Sequence, residues 1–188
     1  MYKNDNSYYY TQGKFDEAKA REAYFEMMER FGYPISENLR NNMWASDFSL
    51  GKFTEVGMAG IFWINEIEGK YFGHEIFLLP GQMIAEHAHI GTEKAGPKME
   101  GWHVRNGDVY FFGEGQESGE AVKIIPSSEF DFTTVRNITY CKPGEVGKLN
   151  RAEAKHFMVG GSGGVVVTEY GSYHDSGGLK FTNPKVSF

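Results

Sequence analysis

Two histidines spaced two apart, His87 and His89, are the residues of this sequence whose chemistry is easiest to interpret. They lie in the strand-like run MIAEHAHIG. Because alternate side chains of a strand share a face, both imidazoles are expected on the same side of a sheet. That spacing would let both nitrogens bind one metal ion at bond lengths of roughly 2.0–2.1 Å. A pair of this kind also arises by chance, so alone it indicates little.

Two further residues complete a candidate metal site. Glu100 begins the run EGWHVRNGDVYFF after a short loop, which can return the chain so that its carboxylate faces the two histidines. His156 lies much further along, in the strand-like KHFMVGG. Three imidazoles and one carboxylate suit Mn²⁺, Fe²⁺, Zn²⁺ or Co²⁺ and leave coordination positions for substrate or water. We refer to the four predicted metal ligands as the ligand set: His87, His89, Glu100 and His156.

The other three histidines, His74, His103 and His174, have no comparable partners in the sequence. We interpret them as surface or barrel-wall residues, with His174 still able to line the mouth of a barrel. His103 is an odd number of residues from Glu100, so in a regular strand it would face the opposite way.

Short strand-like runs must position these side chains. From about residue 52 such runs follow one another, separated by Gly, Pro or Asn, which predicts a sandwich or a barrel. The runs are FTEVGMAGIFWINEIE, YFGHEIFLLP, MIAEHAHIG, EGWHVRNGDVYFFGEG, EAVKIIP, FTTVRNITYCKPG, LNRAEAKHFMVGG and GGVVVTEYGS. No helix-length amphipathic segment interrupts them, which argues against a parallel α/β fold.

A helix is predicted ahead of the strands, over residues 15–31, where Ala, Glu, Met and Arg predominate before Gly32 and Pro34. Residues 1–14 are interpreted as a polar arm and residues 36–46 as a second short helix or an irregular segment. The last segment, HDSGGLKFTNPKVSF, is expected to pack along the surface. We predict one domain over residues 1–188, with the arm and helix in 1–46 and the barrel in 47–188.

Composition limits the partners. The formal net charge of −6 argues against nucleic acid, since contacts to phosphates require a basic surface. No apolar run approaches the roughly 18 residues of a membrane span, and no apolar secretory segment is present. The single cysteine, Cys141, excludes an internal disulfide and favours a cytoplasmic location. A small neutral or polar substrate is the partner that remains.

The metal motif resembles that of a known superfamily. An H-x-H pair, a glutamate after a short loop, the GDVY run at 107–110 and a distant histidine together resemble the cupin pattern, as does the Pro-Gly at 80–81. The resemblance implies an all-β cupin fold, a double-stranded β-helix or jelly-roll barrel, with an N-terminal helical extension.

More narrowly, the chain resembles the cupin-type D-lyxose isomerases, also called D-lyxose ketol-isomerases. Three stretches carry this resemblance: Trp44 to Gly51 with Asp47 and Phe48, EHAH at 86–89 followed by Lys98 and Glu100, and EYGSYHD at 169–175 followed by SGGLKF. The GWH run at 101–103 and the loop at 90–97 depart from the family pattern, which leaves the exact sugar open.

The resemblance implies a metal-dependent aldose–ketose isomerase that acts on a free sugar such as D-lyxose or D-mannose. It also implies a lysine near the substrate, and we assign Lys98 electrophilic or acid–base help because it shares a strand face with Glu100. Glu169 and Asp175 are the carboxylate candidates for the base. The alternative interpretations are that Glu169 is an exposed strand residue and that Asp175 forms a turn. Mn²⁺ is the first choice of metal, followed by Zn²⁺, Co²⁺ or Fe²⁺, and a homodimer is expected.

Two other functions remain open. A cupin dioxygenase using Fe²⁺ would have the same ligands, and a non-catalytic sugar-binding cupin would hold metal without turnover. The polar groups predicted around the site favour a sugar over an apolar substrate. A sugar phosphate would need a basic cradle, and only Lys94, Lys98 and Arg105 lie near the site, without a glycine-rich phosphate loop.

Overall fold

The computed structural model describes residues 2–188, and strands make up most of its regular structure. The helices are α1 (Glu17–Phe31), α2 (Glu37–Asn42) and α3 (Ala121–Ile124), and 3-10 turns lie at Asn6–Tyr9, Phe130–Phe132 and Ser176–Gly178. The strands are β1 (Tyr10–Thr11), β2 (Lys14–Phe15), β3 (Trp44–Ser46), β4 (Met58–Glu66), β5 (Tyr71–Leu78), β6 (His87–His89), β7 (Glu100–Gly113), β8 (Asn137–Cys141), β9 (Val146–Lys148), β10 (Phe157–Gly171) and β11 (Leu179–Phe181).

The main sheet is antiparallel and has the strand order β3-β4-β5-β10-β7-β8, with β9 also paired to β7. Strands β6 and β11 form a separate two-stranded ladder. Bridges between Met83 and Val159 and between His87 and His156 join the segment leading into β6 to the start of β10. The strands therefore enclose an interior, and the predicted all-β barrel with an N-terminal helical extension is confirmed.

The helix predicted over residues 15–31 is α1, and its ends follow from local chemistry. The Asp16 side chain accepts a hydrogen bond from the Lys19 amide at 3.2 Å, which satisfies one of the free N–H groups of the first turn. Gly32 ends the helix in the left-handed conformation, with φ of 63°. The predicted boundary between arm and barrel at residue 46 stays a prediction, and β3, which lies just before it, pairs with β4.

Strand β10 was wrongly divided by the sequence patterns. The runs KHFMVGG and GGVVVTEYGS form one strand of 15 residues, and the glycines between them make an irregularity where the pairing register shifts between Gly160 and Val165. Gly164 has a φ of +81°, and a side chain there would overlap the sulfur of Met27 in α1. The glycines thus bend a continuous strand and admit the helix, where the pattern had indicated a turn.

Two other predictions were wrong. The run EAVKIIP contains a short helix, α3, whose Ala121 packs with Ile125 against Phe112 and Phe157. The closing segment contains β11, which pairs with β6 and so belongs to the barrel. In both places the structure involves contacts with residues distant in sequence, which short runs do not encode.

Alternation along β5 and β10 separates two apolar layers. Ile76 and Leu78 pack in the barrel interior with Val165 and Val167. Phe77, of opposite parity, packs against the helix side with residues of α1. His74 and Glu169 have the parity of the interior residues, so the strands place these two polar side chains inside the barrel.

A buried hydrogen bond joins α1 to the barrel. The fully buried Tyr24 hydroxyl donates to Gln82 Oε1 at 2.6 Å, and the same oxygen accepts from the Leu79 amide at 3.0 Å. Gln82 also donates to the Phe53 carbonyl at 2.5 Å.

Among the residues from 2 to 188, no helix has the length and apolar character that crossing a membrane demands.

Tyr24→Phe removes the hydroxyl from this junction and leaves the ring in place. We expect the free energy of unfolding to fall by about 1 kcal/mol, the net value of a typical buried hydrogen bond. Urea denaturation measures it, with Tyr170→Phe as the control because Tyr170 is half-exposed on β10. Equal stability of the two variants would contradict a stabilising role for the Tyr24 hydroxyl.

Candidate metal centre and adjoining cavity

Three histidine side chains of the ligand set converge inside the barrel. His87 and His89 lie on β6, and His156 lies beside β6 through a pair of backbone hydrogen bonds with His87 at 3.0 and 2.9 Å. One nitrogen from each ring lies within 4.8 Å of the other two. This spacing is compatible with one ion bound by all three rings.

The glutamate of the ligand set meets two of these rings. Glu100 Oε1 lies 2.8 Å from His89 Nε2, and Oε2 lies 3.0 Å from His156 Nε2. Glu100 is the first residue of β7 and pairs with Gly171 of β10, which directs its buried carboxylate into the barrel. The loop before β7 therefore returns the chain as the sequence pattern predicted.

Backbone carbonyls orient two of the imidazoles. His87 Nδ1 donates to the Ala85 carbonyl at 2.9 Å, and His156 Nδ1 donates to the Ala154 carbonyl at 2.9 Å. A proton held on Nδ1 leaves Nε2 as the nitrogen with a free lone pair. This arrangement is the usual support for histidines that bind metals.

The donor atoms fit a divalent cation. His156 Nε2 and Glu100 Oε1 are buried and have no hydrogen-bond partner of acceptable geometry, although other polar atoms of the site lie close by. Buried polar atoms without a partner destabilise a protein by about 1–3 kcal/mol each. A cation among the four side chains would satisfy these atoms, and three nitrogens with a carboxylate suit several transition metals.

The charges around Glu100 favour its ionised form. Burial alone would raise the pKa of Glu100, but the Lys98 ammonium and the His89 and His156 rings outweigh it and hold the pKa well below its usual range. For His87, burial and the neighbouring His156 and His89 rings lower the pKa well below the ordinary value. The carboxylate is therefore available as an anion and the His87 ring as a neutral donor, the forms that bind metals.

Lys98 is fully engaged inside the site. Its Nζ lies 2.7 Å from Glu100 Oε1 and forms a short ion pair with Glu169 Oε1. The ammonium also lies 4.0 Å from the centre of the Phe72 ring. Burial alone would lower the pKa of Lys98, but the two carboxylates outweigh it and raise that pKa. Gly171 makes room for this side chain, since a Cβ there would lie 3.1 Å from Lys98 Cε.

Glu169 lies directly across from His74 in the β10–β5 pairing and is buried. Its Oε2 accepts a hydrogen bond from His74 Nδ1 at 2.9 Å, and its Oε1 pairs with Lys98. Burial would raise the pKa of Glu169, but the charge of Lys98 outweighs it and, with the His74 hydrogen bond, lowers that pKa. The Glu169 side chain is thus an ionised carboxylate beside the ligand set. The alternative interpretation of Glu169 as an exposed strand residue is therefore wrong.

His74 lies in the barrel wall, as expected, but the interpretation that it has no partners was wrong. Its ring is 3% exposed, stacks on Trp44 at 5.7 Å between centroids and holds Glu169. Gly60 lies under this ring, and a side chain at that position would overlap it. The alternation of side chains along the run FGHEIFLL could have indicated that His74 faces the barrel interior, since it shares a strand face with the apolar Ile76 and Leu78.

His174 has ring contacts that the sequence did not indicate. The ring is buried, stacks on Phe72 with centroids 5.5 Å apart and lies 5.5 Å from the His89 ring. Burial, then the charges of Lys98 and His89, lower the pKa of His174 to about 4. The expectation that it could line the barrel mouth agrees with its place in the cavity wall.

Asp175 and His103 lie away from the reacting groups. Asp175 accepts hydrogen bonds from the Thr92 hydroxyl at 2.6 Å and the Gly177 amide at 3.0 Å, which makes it the cap of a 3-10 turn. Neither side chain contributes to the cavity wall. The assignment of Asp175 as a base therefore has no support from its position, and Glu169 is the better placed carboxylate.

A cavity adjoins the ligand set and contains about 560 Å³ of space, including its open mouth. Its polar wall comprises the ligand set, Lys98, Glu169, His74 and His174. The aromatic part of its wall comprises Trp44, Phe48, Phe62, Phe72, Trp102, Phe157, Phe181 and Phe188. The cavity thus has polar groups beside the ligand set and aromatic faces over much of its remaining wall.

Metal-free protein should gain thermal stability when Mn²⁺, Co²⁺ or Zn²⁺ is added, because a ligand that binds only the folded state raises the melting temperature. Glu100→Gln and His156→Ala should bind at least about 10-fold more weakly than the wild type, since each removes one donor. Titration calorimetry and elemental analysis measure affinity and stoichiometry, with His103→Ala as the control. Unchanged affinity in both ligand variants would contradict this site.

The chain is similar in sequence to proteins named as sugar isomerases. No protein-family model matches the chain. A D-lyxose/D-mannose isomerase of Thermosediminibacter oceani is 26% identical over 166 residues, which cover 88% of this chain and 90% of the relative. A D-lyxose ketol-isomerase of Cohnella laeviribosi is 28% identical over 168 residues, which cover 89% of this chain and 91% of that relative.

Solved structures extend the likeness to the fold. An L-ribose isomerase of an Acinetobacter species, in complex with L-ribose, superposes with a TM-score of 0.69 at 14% identity and covers 89% of this chain and 90% of its own. An L-ribose isomerase of Cellulomonas parahominis superposes with a TM-score of 0.68 at 13% identity. The match covers 90% of this chain and 92% of that protein. At these identities the likeness establishes the cupin fold. The chain is thus similar in sequence to D-lyxose isomerases and similar in fold to L-ribose isomerases, and the resemblance predicted from its motifs is confirmed.

Proposed function

We propose that this protein is a metal-dependent aldose–ketose isomerase for a free sugar, interconverting D-lyxose with D-xylulose or D-mannose with D-fructose. The observation that carries the proposal is the buried ion pair of Lys98 and Glu169 beside the ligand set. A base and a proton donor next to a metal site are the groups that movement of hydrogen between neighbouring carbons requires. The named activities of the sequence relatives support the same reaction class.

The four residues of the ligand set would hold the cation, and Mn²⁺ is our first choice, ahead of Zn²⁺, Co²⁺ or Fe²⁺. When bound, it supplies positive charge that polarises the sugar carbonyl and stabilises the enediolate that develops during the reaction. A donor set of nitrogen and oxygen without sulfur supports an ion of this group.

Glu169 is the proposed base. Its carboxylate takes the proton from C2 of the open-chain aldose and returns it to C1 of the ketose. The lowered pKa keeps it ionised at neutral pH, and the hydrogen bond from His74 holds it in place. Lys98 is the proposed acid: its ammonium gives a proton to O1 and recovers one from O2, so that protons on carbon and on oxygen both balance.

A free sugar fits the charges of the cavity better than a sugar phosphate. Among the described residues that line it, Lys98 is the one side chain of lysine or arginine, and two carboxylates neutralise it. A phosphate would have to bind without a free basic group, which is unfavourable in a buried site. The aromatic wall would cover the carbon side of a sugar and exclude water from the reacting atoms.

That aromatic wall also suits the second candidate function, an Fe²⁺-dependent dioxygenase acting on an apolar substrate. The same ligand set would serve it. A dioxygenase has no need of a buried lysine–glutamate pair next to its ligands, so the pair favours the isomerase.

Glu169→Gln and Lys98→Met should each lower kcat by roughly 10²–10⁴-fold, the usual effect of removing a general acid or base. Metal content should stay unchanged in Glu169→Gln, because this residue is outside the ligand set. A coupled ketose assay with D-lyxose and D-mannose measures kcat. Glu75→Gln is the control, since Glu75 is a buried carboxylate of the neighbouring strand that accepts hydrogen bonds from Tyr33 and Thr168.

The same assay under air and under nitrogen separates the two candidate functions. Equal rates in both atmospheres would agree with an isomerase. No ketose in either atmosphere, together with consumption of oxygen under air, would identify the dioxygenase, and full activity in Glu169→Gln would exclude this residue as the base.

We further propose that the protein is a homodimer. The exposed part of β4 supports this, because β3 pairs only with residues 58–60 and leaves the outer edge of residues 61–66 without a strand partner. Apolar side chains are exposed there, at Phe62, Trp63 and Ile64. Free edges with apolar side chains favour pairing with another chain, and an antiparallel edge can pair with its own copy.

Ile64→Arg should shift the protein from dimer to monomer, because the introduced charge would be buried at the paired edges. Sedimentation velocity measures the change over a concentration series. Val122→Arg is the control, because Val122 is equally apolar and 60% exposed on α3, away from β4. A wild-type monomer, or an Ile64→Arg dimer, would contradict the proposed interface.

We also propose a cytoplasmic location. Cys141 is a buried free thiol, so the fold does not depend on a disulfide and is suited to a reducing compartment.

A further inference from the structure

Most polar side chains of the cavity wall are engaged with one another, although His74 Nε2, His89 Nδ1 and the indole nitrogen of Trp44 are buried without a hydrogen-bond partner. The ligand set converges on the metal position, and Lys98, Glu169 and His74 are linked in a chain of close contacts. Among the described residues that line the cavity, His174 is the remaining titratable side chain, and neither the proposed chemistry nor the metal site uses it.

His174 is placed to hold a ligand. His174 is 8% exposed, and its Nδ1 is buried without a hydrogen-bond partner. The other ring nitrogen, Nε2, lies 3.4 Å from the Ser176 hydroxyl, which is a long contact. A buried nitrogen with no partner destabilises the protein, so a polar atom of a bound molecule would be stabilising at this place.

Two features fix the position of this imidazole. The Asn65 side chain on β4 donates to the His174 carbonyl and accepts from the His174 amide, both at 2.9 Å. The ring itself is stacked on Phe72 with an interplanar angle of 27°. The ring of His89 lies 5.5 Å away, so His174 is next to the ligand set but outside it.

We propose that His174 binds a hydroxyl of the open-chain sugar at C3 or C4, beyond the two reacting carbons, and so selects which epimer is isomerised. Asn65 is the positioning residue that holds it. This inference rests on the proposed function, because it names a determinant of substrate choice at the same site.

The surroundings of His174 explain why it would discriminate. Phe62 and Phe72 flank the ring, and neither offers a hydrogen bond. A hydroxyl that enters this part of the cavity loses its bonds to water, which is unfavourable unless a partner replaces them. A neutral imidazole can donate or accept, so it can serve a hydroxyl that points towards it and cannot serve one of the opposite configuration.

Epimers of one sugar test this directly. D-arabinose differs from D-lyxose only at C3, and L-ribose differs from D-lyxose only at C4. The measurement is kcat/KM for all three aldoses with metal-loaded wild type and His174→Phe, which keeps the stacked ring and removes both nitrogens. His103→Phe is the matched control, since His103 lies outside the cavity wall.

We expect His174→Phe to lose about 10-fold of the preference for D-lyxose over one of the two epimers, the effect of one lost hydrogen bond. A change against D-arabinose assigns the C3 hydroxyl, and a change against L-ribose assigns the C4 hydroxyl. Asn65→Ala should lose part of the same preference while its metal affinity stays that of the wild type. His103→Phe should keep the wild-type preference.

Preferences equal to those of the wild type in both His174→Phe and Asn65→Ala would overturn the inference while leaving the isomerase in place. If the wild type turns over no sugar, the proposed function fails, and sugar binding decides the inference separately. Quenching of the cavity tryptophans, Trp44 and Trp102, reports binding without turnover. Binding that discriminates the epimers in the wild type but not in His174→Phe would support the role of His174, and equal discrimination would overturn it.

Discussion

A buried negative charge at Glu100 is the constraint on which the site depends. A carboxylate inside a barrel is unfavourable unless cations and hydrogen-bond donors surround it. Lys98 provides one such contact at 2.7 Å, and the rings of His89 and His156 lie 2.8 and 3.0 Å from the carboxylate oxygens. The second carboxylate, Glu169, then shares Lys98, so that the ammonium joins the metal position to the proposed base.

The antiparallel strands make this network possible. Glu100 pairs with Gly171, Glu169 pairs with both Trp102 and His74, and each pairing follows from the register of β10 between β5 and β7. A shift of one residue in β10 would turn Glu169 out of the barrel and bring Thr168 in. The glycines of β10 and the helix packed on its outer face therefore matter to the chemistry, because they fix that register.

Local patterns predicted what depends on short spacing. The H-x-H pair, the glutamate after the loop and α1 could be recognised because each is encoded within a few residues. The partners of His74 and His174, Glu169 and Asn65, were missed because they are 95 and 109 residues away in sequence. The helix α3 and the pairing of β11 were missed for the same reason, since burial by distant residues decides them. Asp175 was a candidate base as a carboxylate in the EYGSYHD stretch, and in the structure its side chain caps a local turn.

The central claim is that Glu169 carries a proton between two carbons of a sugar, and solvent isotope exchange tests it most directly. Wild-type enzyme loaded with Mn²⁺ would isomerise D-lyxose in D₂O, and NMR of the product would measure deuterium on carbon. A base in contact with water or with Lys98 exchanges its proton, so the account predicts deuterium at C1 of D-xylulose. Complete turnover with no deuterium on carbon would indicate direct hydride transfer between C2 and C1 and would contradict the account.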